Sequence, residues 1–171
     1  FTFSGNATVT GTDAGTYDMF LNPADFKNTS ANITNVEFVI VDGTLEILKR
    51  AVTLTSADDE KVYDGKPLTN DEVAVTGAGF VAGEGATYDV TGTQTAVGSS
   101  ANAFTYTLNS NTKADNYTIT KVEGTLKVTE LTDKVTVTIT EHSSKETYDG
   151  TEKTVTGYDV EISNPLYTEA D

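Results

Sequence analysis

The residues best suited to catalysis in this chain are one histidine and many carboxylates. Nucleophilic catalysis by a Ser–His–Asp arrangement needs an imidazole base. The single histidine, His142, lies in the polar run 141–146, which is typical of a solvated loop. A pair of carboxylates can cleave glycosides, but no Asp or Glu lies in the apolar surroundings that a catalytic acid requires. We therefore expect no enzymatic activity and no catalytic residue.

Metal binding is considered for one acidic stretch. Clustered oxygen ligands suit Ca²⁺, and Asp58, Asp59 and Glu60 are consecutive. No loop, however, combines alternating Asp or Asn with a central Gly and a closing Glu. The chain has no cysteine, which excludes thiolate metal sites and disulfides. We expect a solvated acidic turn without a cofactor or metal, with calcium as the alternative.

The net charge of the chain limits its partners. The formal charge is −15 at pH 7, whereas nucleic acids and anionic membranes attract basic surfaces. No apolar run reaches the length of a membrane-spanning helix. We expect no nucleic-acid partner and no membrane insertion in this segment.

A tripeptide occurs twice and is the clearest feature of the sequence. Its copies are Tyr63, Asp64 and Gly65, and, at an offset of 85, Tyr148, Asp149 and Gly150. Asp-Gly after an aromatic residue is typical of a tight turn whose tyrosine is anchored in the core. A direct contact of this motif with a ligand is the alternative.

A second motif recurs and sets the phase of the repeat. The Gly-Thr-Leu strand at 43–47 returns at 124–128, an offset of 81. A period of this length is typical of an array of modules. The tripeptide begins a module and Gly-Thr-Leu closes it. Residues 1–50 (the head segment) are thus a back half, 51–131 (the middle segment) a complete module, and 132–171 (the tail segment) a front half.

The pattern of side chains predicts an all-β fold with short helical turns at most. Apolar and polar residues alternate at 104–108 and 135–140, as in strands with one buried face. Asp42-Gly43 between two apolar runs predicts a hairpin of 35–41 with 44–48, and Glu123-Gly124 has the same place in the middle segment. Asn22 before Pro23 predicts one capped helical turn. We expect tandem modules of six or seven strands, as open sandwiches or β-grasp-like sheets, with an immunoglobulin-like sandwich as the alternative.

The order of the motifs carries a family resemblance. The tripeptide at 63–65 is followed by Thr-Gly-Thr at 91–93, by Asn-Tyr-Thr-Ile at 116–119 and by Gly-Thr-Leu at 124–126. This order resembles the YDG and MBG tandem repeat modules of bacterial cell-surface adhesins. The middle segment departs from the family pattern at 94–100, where the head segment has Asp-Ala-Gly-Thr-Tyr.

The resemblance implies an extracellular location on the bacterial cell surface and no catalytic residues. A stalk or filament element that projects or forms an adhesin is the function it favours. The alternative is a module that itself binds host glycan or protein. In that case Tyr88, Tyr158 and Tyr167 are the candidate ligand-contact aromatics, because they fit an inward-facing alternation least well.

Two further expectations concern how small modules are stabilised. Adhesin modules of this kind can carry a lysine isopeptide crosslink, for which Lys121, Lys127 and Lys134 are the candidates. The two terminal halves should complete each other, either within one chain or between neighbouring copies of the repeat. We expect the second, head-to-tail, because the connections at 49–51 and 130–133 are short.

Overall fold

The structure is a computed structural model that describes residues 1–169, and its strands are short. They are β1 (Thr2–Phe3), β2 (Gly15–Asp18), β3 (Phe26–Lys27), β4 (Thr44–Ile47), β5 (Arg50–Ser56), β6 (Asp59–Val62), β7 (Val73–Gly77), β8 (Ala86–Val90), β9 (Gly98–Asn102), β10 (Phe104–Leu108), β11 (Tyr117–Val122), β12 (Gly124–Thr129), β13 (Val137–Glu141) and β14 (Tyr158–Ile162). Two single 3₁₀ turns, Pro23–Asp25 and Ala114–Asn116, are the helical elements of these residues. The predicted all-β class is confirmed.

The predicted helical turn is also present. Asn22 caps it, since its side-chain oxygen accepts a hydrogen bond from the backbone N–H of Ala24 at 3.0 Å, and Pro23 begins the turn. No helix in the described part of the chain is long and apolar enough to cross a membrane.

The middle segment contains β5 to β12, eight strands where six or seven were expected. β5 is central in one sheet, parallel to β11 and antiparallel to β7. β12 is central in a second sheet, parallel to β6 and antiparallel to β9. β8 and β10 form a separate antiparallel pair. The two parallel pairs depart from the purely antiparallel sheets of an immunoglobulin-like sandwich.

Two apolar clusters form the core of the middle segment. The first contains the buried Val52, Leu54, Phe104 and Tyr117 and joins the β5 sheet to the β8–β10 pair. The second contains Leu68, Leu126 and Val128 under the other sheet, with Tyr63 packed against it. The central strand of each sheet, β5 or β12, thus buries its apolar face in one of the two clusters.

The predicted hairpins around Gly43 and Gly124 are wrong. β4 pairs with β2, and residues 35–43 form no strand. In the middle segment, β12 does not fold back on β11. Instead β11 pairs with β5, and β12 pairs with β6. Gly124 is required by close approach and not by a turn, because a Cβ there would collide with the carbonyl oxygens of Ser56 and Ala57.

The head and tail segments hold small ladders of their own. β1 pairs with β3 and β2 with β4 in the head segment, and β13 pairs with β14 in the tail segment. Within residues 1–169, no ladder joins two of the three segments, apart from the one-residue extension of β5 to Arg50. The described residues therefore form two three-stranded sheets and one strand pair in the middle segment, and only two-stranded ladders in the head and tail segments.

Candidate functional site

The tail ladder repeats the front of the middle segment. Adding 85 to the residue numbers of β7 gives those of β14, and adding 85 to 52–56 of β5 gives β13. The pairing follows: Val52 is opposite Gly77, and Val137 is opposite Ile162. A hydrogen bond beyond the ladder repeats as well. The N–H of Ala57 donates to the Glu72 carbonyl, and that of His142 to Gly157. The front half thus has the same register in both copies.

The head ladder repeats the back of the middle segment. β4 precedes its equivalent stretch in β12 by an offset of 81, and β2 precedes its equivalent in β9 by an offset of 83. Gly15 opposite Ile47 corresponds to Gly98 opposite Val128. Both glycines have a positive φ, 155° and 141°, which side-chain-bearing residues rarely adopt.

Equivalent positions differ sharply in exposure. Val52 and Leu54 are 1 % and 0 % exposed, whereas their counterparts Val137 and Ile139 are 40 % and 62 % exposed. In the middle segment these positions are covered by residues of the back half. The tail segment has the same apolar positions without that cover among the described residues.

This uncovered surface, which we name the tail face, surrounds a hollow of about 410 Å³. It is lined by Val137, Ile139, Tyr158, Val160, Ile162, Tyr167, Thr168 and Glu169. The hydroxyl of Tyr158 donates to the Glu169 carboxylate at 2.8 Å, which holds Glu169 beside the ladder. The tail face is an apolar patch with a polar rim, as interaction sites are.

The head segment has a matching apolar surface. Four side chains, Phe1, Phe3, Phe26 and Phe38, form a phenylalanine cluster with ring centroids 4.7–6.0 Å apart. Phe38 belongs to the stretch 36–41, which corresponds to β11 at the offset of 81. Val39 and Val41 in this stretch are largely exposed. The head segment therefore holds a cluster of phenylalanine rings and an extended stretch that contributes Phe38 to it.

The two Tyr-Asp-Gly motifs form the same turn. The carboxylates of Asp64 and Asp149 each accept a hydrogen bond from the N–H two positions later, at 3.0 Å. Gly65 and Gly150 have φ of 76° and 82°. The tyrosines differ: Tyr63 packs against the second core cluster, whereas Tyr148 is 93 % exposed.

A lysine stabilises the charge of each turn carboxylate. The Lys61 ammonium donates to Asp64 and lowers its pKa, with a further contribution from the N–H of Lys66. Lys153 donates to Asp149 and, with Thr151, lowers the pKa of that carboxyl to about 2. Lys61 precedes its tripeptide, whereas Lys153 follows its own. The two turns therefore have the same backbone shape but different lysine partners.

The candidate ligand-contact aromatics separate into two groups. Tyr88 is half-buried, its ring lies edge-on to Phe104 at 6.5 Å, and burial raises the pKa of its hydroxyl. It packs against the first core cluster, and a ligand contact through Tyr88 stays a prediction. Tyr158 and Tyr167 are more than half exposed and line the tail face.

The groups considered for chemistry are engaged in local structure. Nδ1 of His142 lies 3.0 Å from the Thr156 carbonyl oxygen, and Nε2 lies 3.3 Å from the Asp159 carboxylate. All of these groups are on an exposed surface. Asp58 accepts from the N–H of Thr125. Among residues 1–169 no group of three or more His, Asp or Glu side chains could hold a metal ion.

The three candidate crosslinking lysines lie at the surface. Lys121 forms an ion pair with Glu123 at 2.7 Å, and its ammonium lies 4.9 Å from the Phe104 ring centroid. Lys127 pairs with Glu60 at 3.2 Å, and Lys134 is exposed. These lysines have ionic partners or solvent around them instead of the buried surroundings expected of a crosslink.

Two polar contacts were not anticipated from the sequence. In the first, buried Asn102 donates to the carbonyls of Ala57 and Asn70, and Ser56 donates to the carbonyl of Asn102 while accepting from the N–H of Gly124. This network holds the point where the chain passes from one sheet to the other. The recurrence of glycine at 43 and 124 was its only signal in the sequence.

The second contact joins the head segment to the middle segment. The Asp13 carboxylate accepts from Lys113 at 2.7 Å and from the side chain of Asn116 at 2.9 Å, and the N–H of Ala14 donates to the Asn116 side-chain oxygen. At the other end of the middle segment, Leu166 lies so close to Gly65 that a Cβ there would be 2.8 Å from it.

Comparisons of this chain with protein-family models, with curated proteins and with solved structures found no match.

Proposed function

We propose that this chain is a non-catalytic repeat segment of a bacterial cell-surface protein, acting as a stalk or filament element that projects or forms an adhesin. The observation that carries the proposal is the path of the chain through the middle segment. The chain enters the segment at Arg50 in β5, which is parallel to β11, and leaves it at Thr129 in β12, which is parallel to β6. The chain therefore leaves the unit at the end opposite to where it began.

Such a path places successive units end to end. The head segment contacts the middle segment through Asp13 near the start of β11, and the tail segment contacts it at Gly65, near the end of β12. β5 and β6 together cover residues 50–62, a length of about 40 Å of extended chain at the rise of a β-strand. An array of such units grows in length by about that distance per repeat.

Composition and motif order support the extracellular setting. The chain has no cysteine to oxidise and a net charge of −15, which keeps exposed copies soluble. The order of its motifs resembles that of tandem modules in bacterial adhesins. A spacer needs uniform units and no reactive groups, and the engaged histidine and carboxylates are consistent with that role.

Length measurement tests the proposal. Small-angle X-ray scattering would compare this chain with a version that carries a second copy of residues 51–131 directly after the first. We expect the maximum dimension to rise by about 40 Å. A rise of only about 10 Å, the distance between sheets that pack face to face, would contradict a stalk.

A second function, direct binding of a host glycan or protein, is favoured by the exposed Tyr158 and Tyr167 on the tail face. Aromatic rings with polar neighbours are suited to stacking on sugars. A glycan array probed with the wild-type chain and with Tyr167→Ala tests this function. Binding that the substitution abolishes supports it, and no bound glycan contradicts glycan recognition.

A further inference from the structure

We infer that each repeat docks on the end of the preceding one through the loop that follows its third strand, and that this contact holds successive units at a fixed angle. The docking loop, as we name it, is residues 78–84 after β7 in the middle segment and residues 163–169 after β14 in the tail segment. The inference rests on the proposed function, because it says what makes a stalk of such units stiff. The partner of each docking loop is the preceding unit of the same chain.

The two docking loops occupy equivalent positions of the repeat. The offset of 85 that relates β7 to β14 places Val81 with Leu166 and Glu84 with Glu169. The two apolar side chains are similarly exposed, at 49 % and 42 %. An apolar residue and a glutamate three positions later thus recur in two loops whose other residues differ.

Each docking loop lies against the unit before it. Cδ2 of Leu166 in the tail segment is 2.8 Å from the position that a Cβ on Gly65 of the middle segment would have. Val81 of the middle segment lines one hollow, of about 370 Å³, together with Ile47 and Leu48 of the head segment. The same position of the repeat therefore faces the preceding unit at two separate junctions.

The docking loops also meet the same end of the preceding unit. Leu48, directly after β4, corresponds at the offset of 81 to Thr129, the last residue of β12. The carbonyl of Thr129 accepts from the N–H of Tyr63 at 2.9 Å, two residues before Gly65. The docking loop of the tail segment therefore lies near the end of β12, as that of the middle segment lies near the end of β4.

Hydrogen bonds within its own unit hold each docking loop in shape. Nε of Arg50 donates to the carbonyl of Gly79 at 2.7 Å, and the N–H of Val81 donates to the hydroxyl of Tyr117 at 3.1 Å. In the tail segment, the N–H of Leu166 donates to the side-chain oxygen two positions earlier, at 2.9 Å. A loop that is already ordered loses little conformational entropy when it docks.

A polar contact reinforces the junction of the head and middle segments. The Asp13 carboxylate accepts from Asn116 at 2.9 Å and from Lys113 at 2.7 Å, and these donors hold the pKa of Asp13 below its usual value. An exposed ion pair contributes little by itself. Only residues 48–49 connect β4 to β5, however, so the contact is intramolecular and a weak interaction is sufficient to hold it.

Nitrogen-15 relaxation of the intact chain tests the inference, because it measures how fast each segment tumbles. In the wild-type chain, strand amides of all three segments should share one rotational correlation time. Leu166→Asp places a carboxylate against Gly65, so the tail amides should tumble faster while the head and middle amides stay together. Leu166→Ala removes the same contact without a charge and should act in the same direction, which keeps the test valid if the carboxylate unfolds the loop.

The matched control for Leu166→Asp is Val155→Asp. It adds the same charge to the tail segment at a position of similar exposure, 50 %, outside the docking loop. It should leave the common correlation time unchanged.

Charge exchange tests the other junction. Asp13→Lys opposes Lys113 and should let the head amides tumble faster, and adding Lys113→Asp should restore slower tumbling at least in part. Asp18→Lys makes the same charge change at an exposed position of the head segment and should have no effect on tumbling.

Three results would overturn the inference. They are different correlation times for the segments of the wild-type chain, unchanged tumbling in both Leu166 variants, and an equal effect of Val155→Asp. The scattering test of the stalk asks only whether an added unit increases the length, which a flexible array also does. Segments that tumble independently therefore overturn this inference alone, and an array that fails to lengthen overturns the proposed function.

Discussion

Val52 and Val137 occupy the same position of two ladders with the same register, yet Val52 is 1 % exposed and Val137 is 40 % exposed. The difference comes from what lies above them. Val52 is covered by the back half of its own unit, including Phe104 and Tyr117. Equivalent positions of the repeat thus contribute unequally to the stability of this chain.

Truncation of equivalent core residues should have unequal effects. Leu54→Ala removes a fully buried side chain from the first cluster and should lower the free energy of unfolding of the middle segment by about 2–5 kcal/mol. Ile139→Ala, at the equivalent tail position, should change it by no more than about 0.5 kcal/mol. Urea denaturation at low protein concentration measures both. Losses of similar size would show that the tail position is covered in the single chain.

The buried asparagine should be essential to the junction between the two sheets. Asn102→Ala leaves the carbonyls of Ala57 and Asn70 without their donor and should cost about 1–3 kcal/mol. Asn111→Ala is the control, since the exposed Asn111 also donates to a backbone carbonyl, that of Gly83. The control should cost less than about 1 kcal/mol. Equal effects in thermal unfolding would contradict a special role for Asn102.

The turn at Asp149 should depend on acid pH. Its pKa in the folded chain is about 2, below the usual value near 3.8, because Lys153 and Thr151 donate to the carboxylate. A lowered folded-state pKa contributes stability above the unfolded value, and this contribution is lost as the pH falls from about 4 toward 2. Carboxyl-carbon NMR should show the low pKa.

Removal of the lysine tests the cause of that shift. Lys153→Met should raise the Asp149 pKa toward its usual value, and Lys27→Met, which removes the same charge from the head segment, should leave it unchanged. A titration of Asp149 that is insensitive to Lys153→Met would contradict the ion pair as the cause.

Local features of this chain were readable from its residues. The all-β class follows from alternating apolar and polar side chains, and the cap at Asn22 follows from Pro23. The tight turns at Asp64 and Asp149 follow from the Asp-Gly pair. Each depends on neighbours a few positions away, so the sequence alone determined it, together with the two recurring motifs and their spacings.

Pairing between distant strands was decided by the tertiary structure. Alternation shows which side chains share a face, but it does not show which strand lies beside another. The hairpin expected at Gly43 was replaced by pairing of β4 with β2, and Gly124 serves a close approach to Ser56. Tyr88 packs against the core because Phe104, from another strand, lies beside it. The cover over Val52 depends in the same way on Phe104 and Tyr117, which lie far along the chain, and only the folded arrangement brings them against β5.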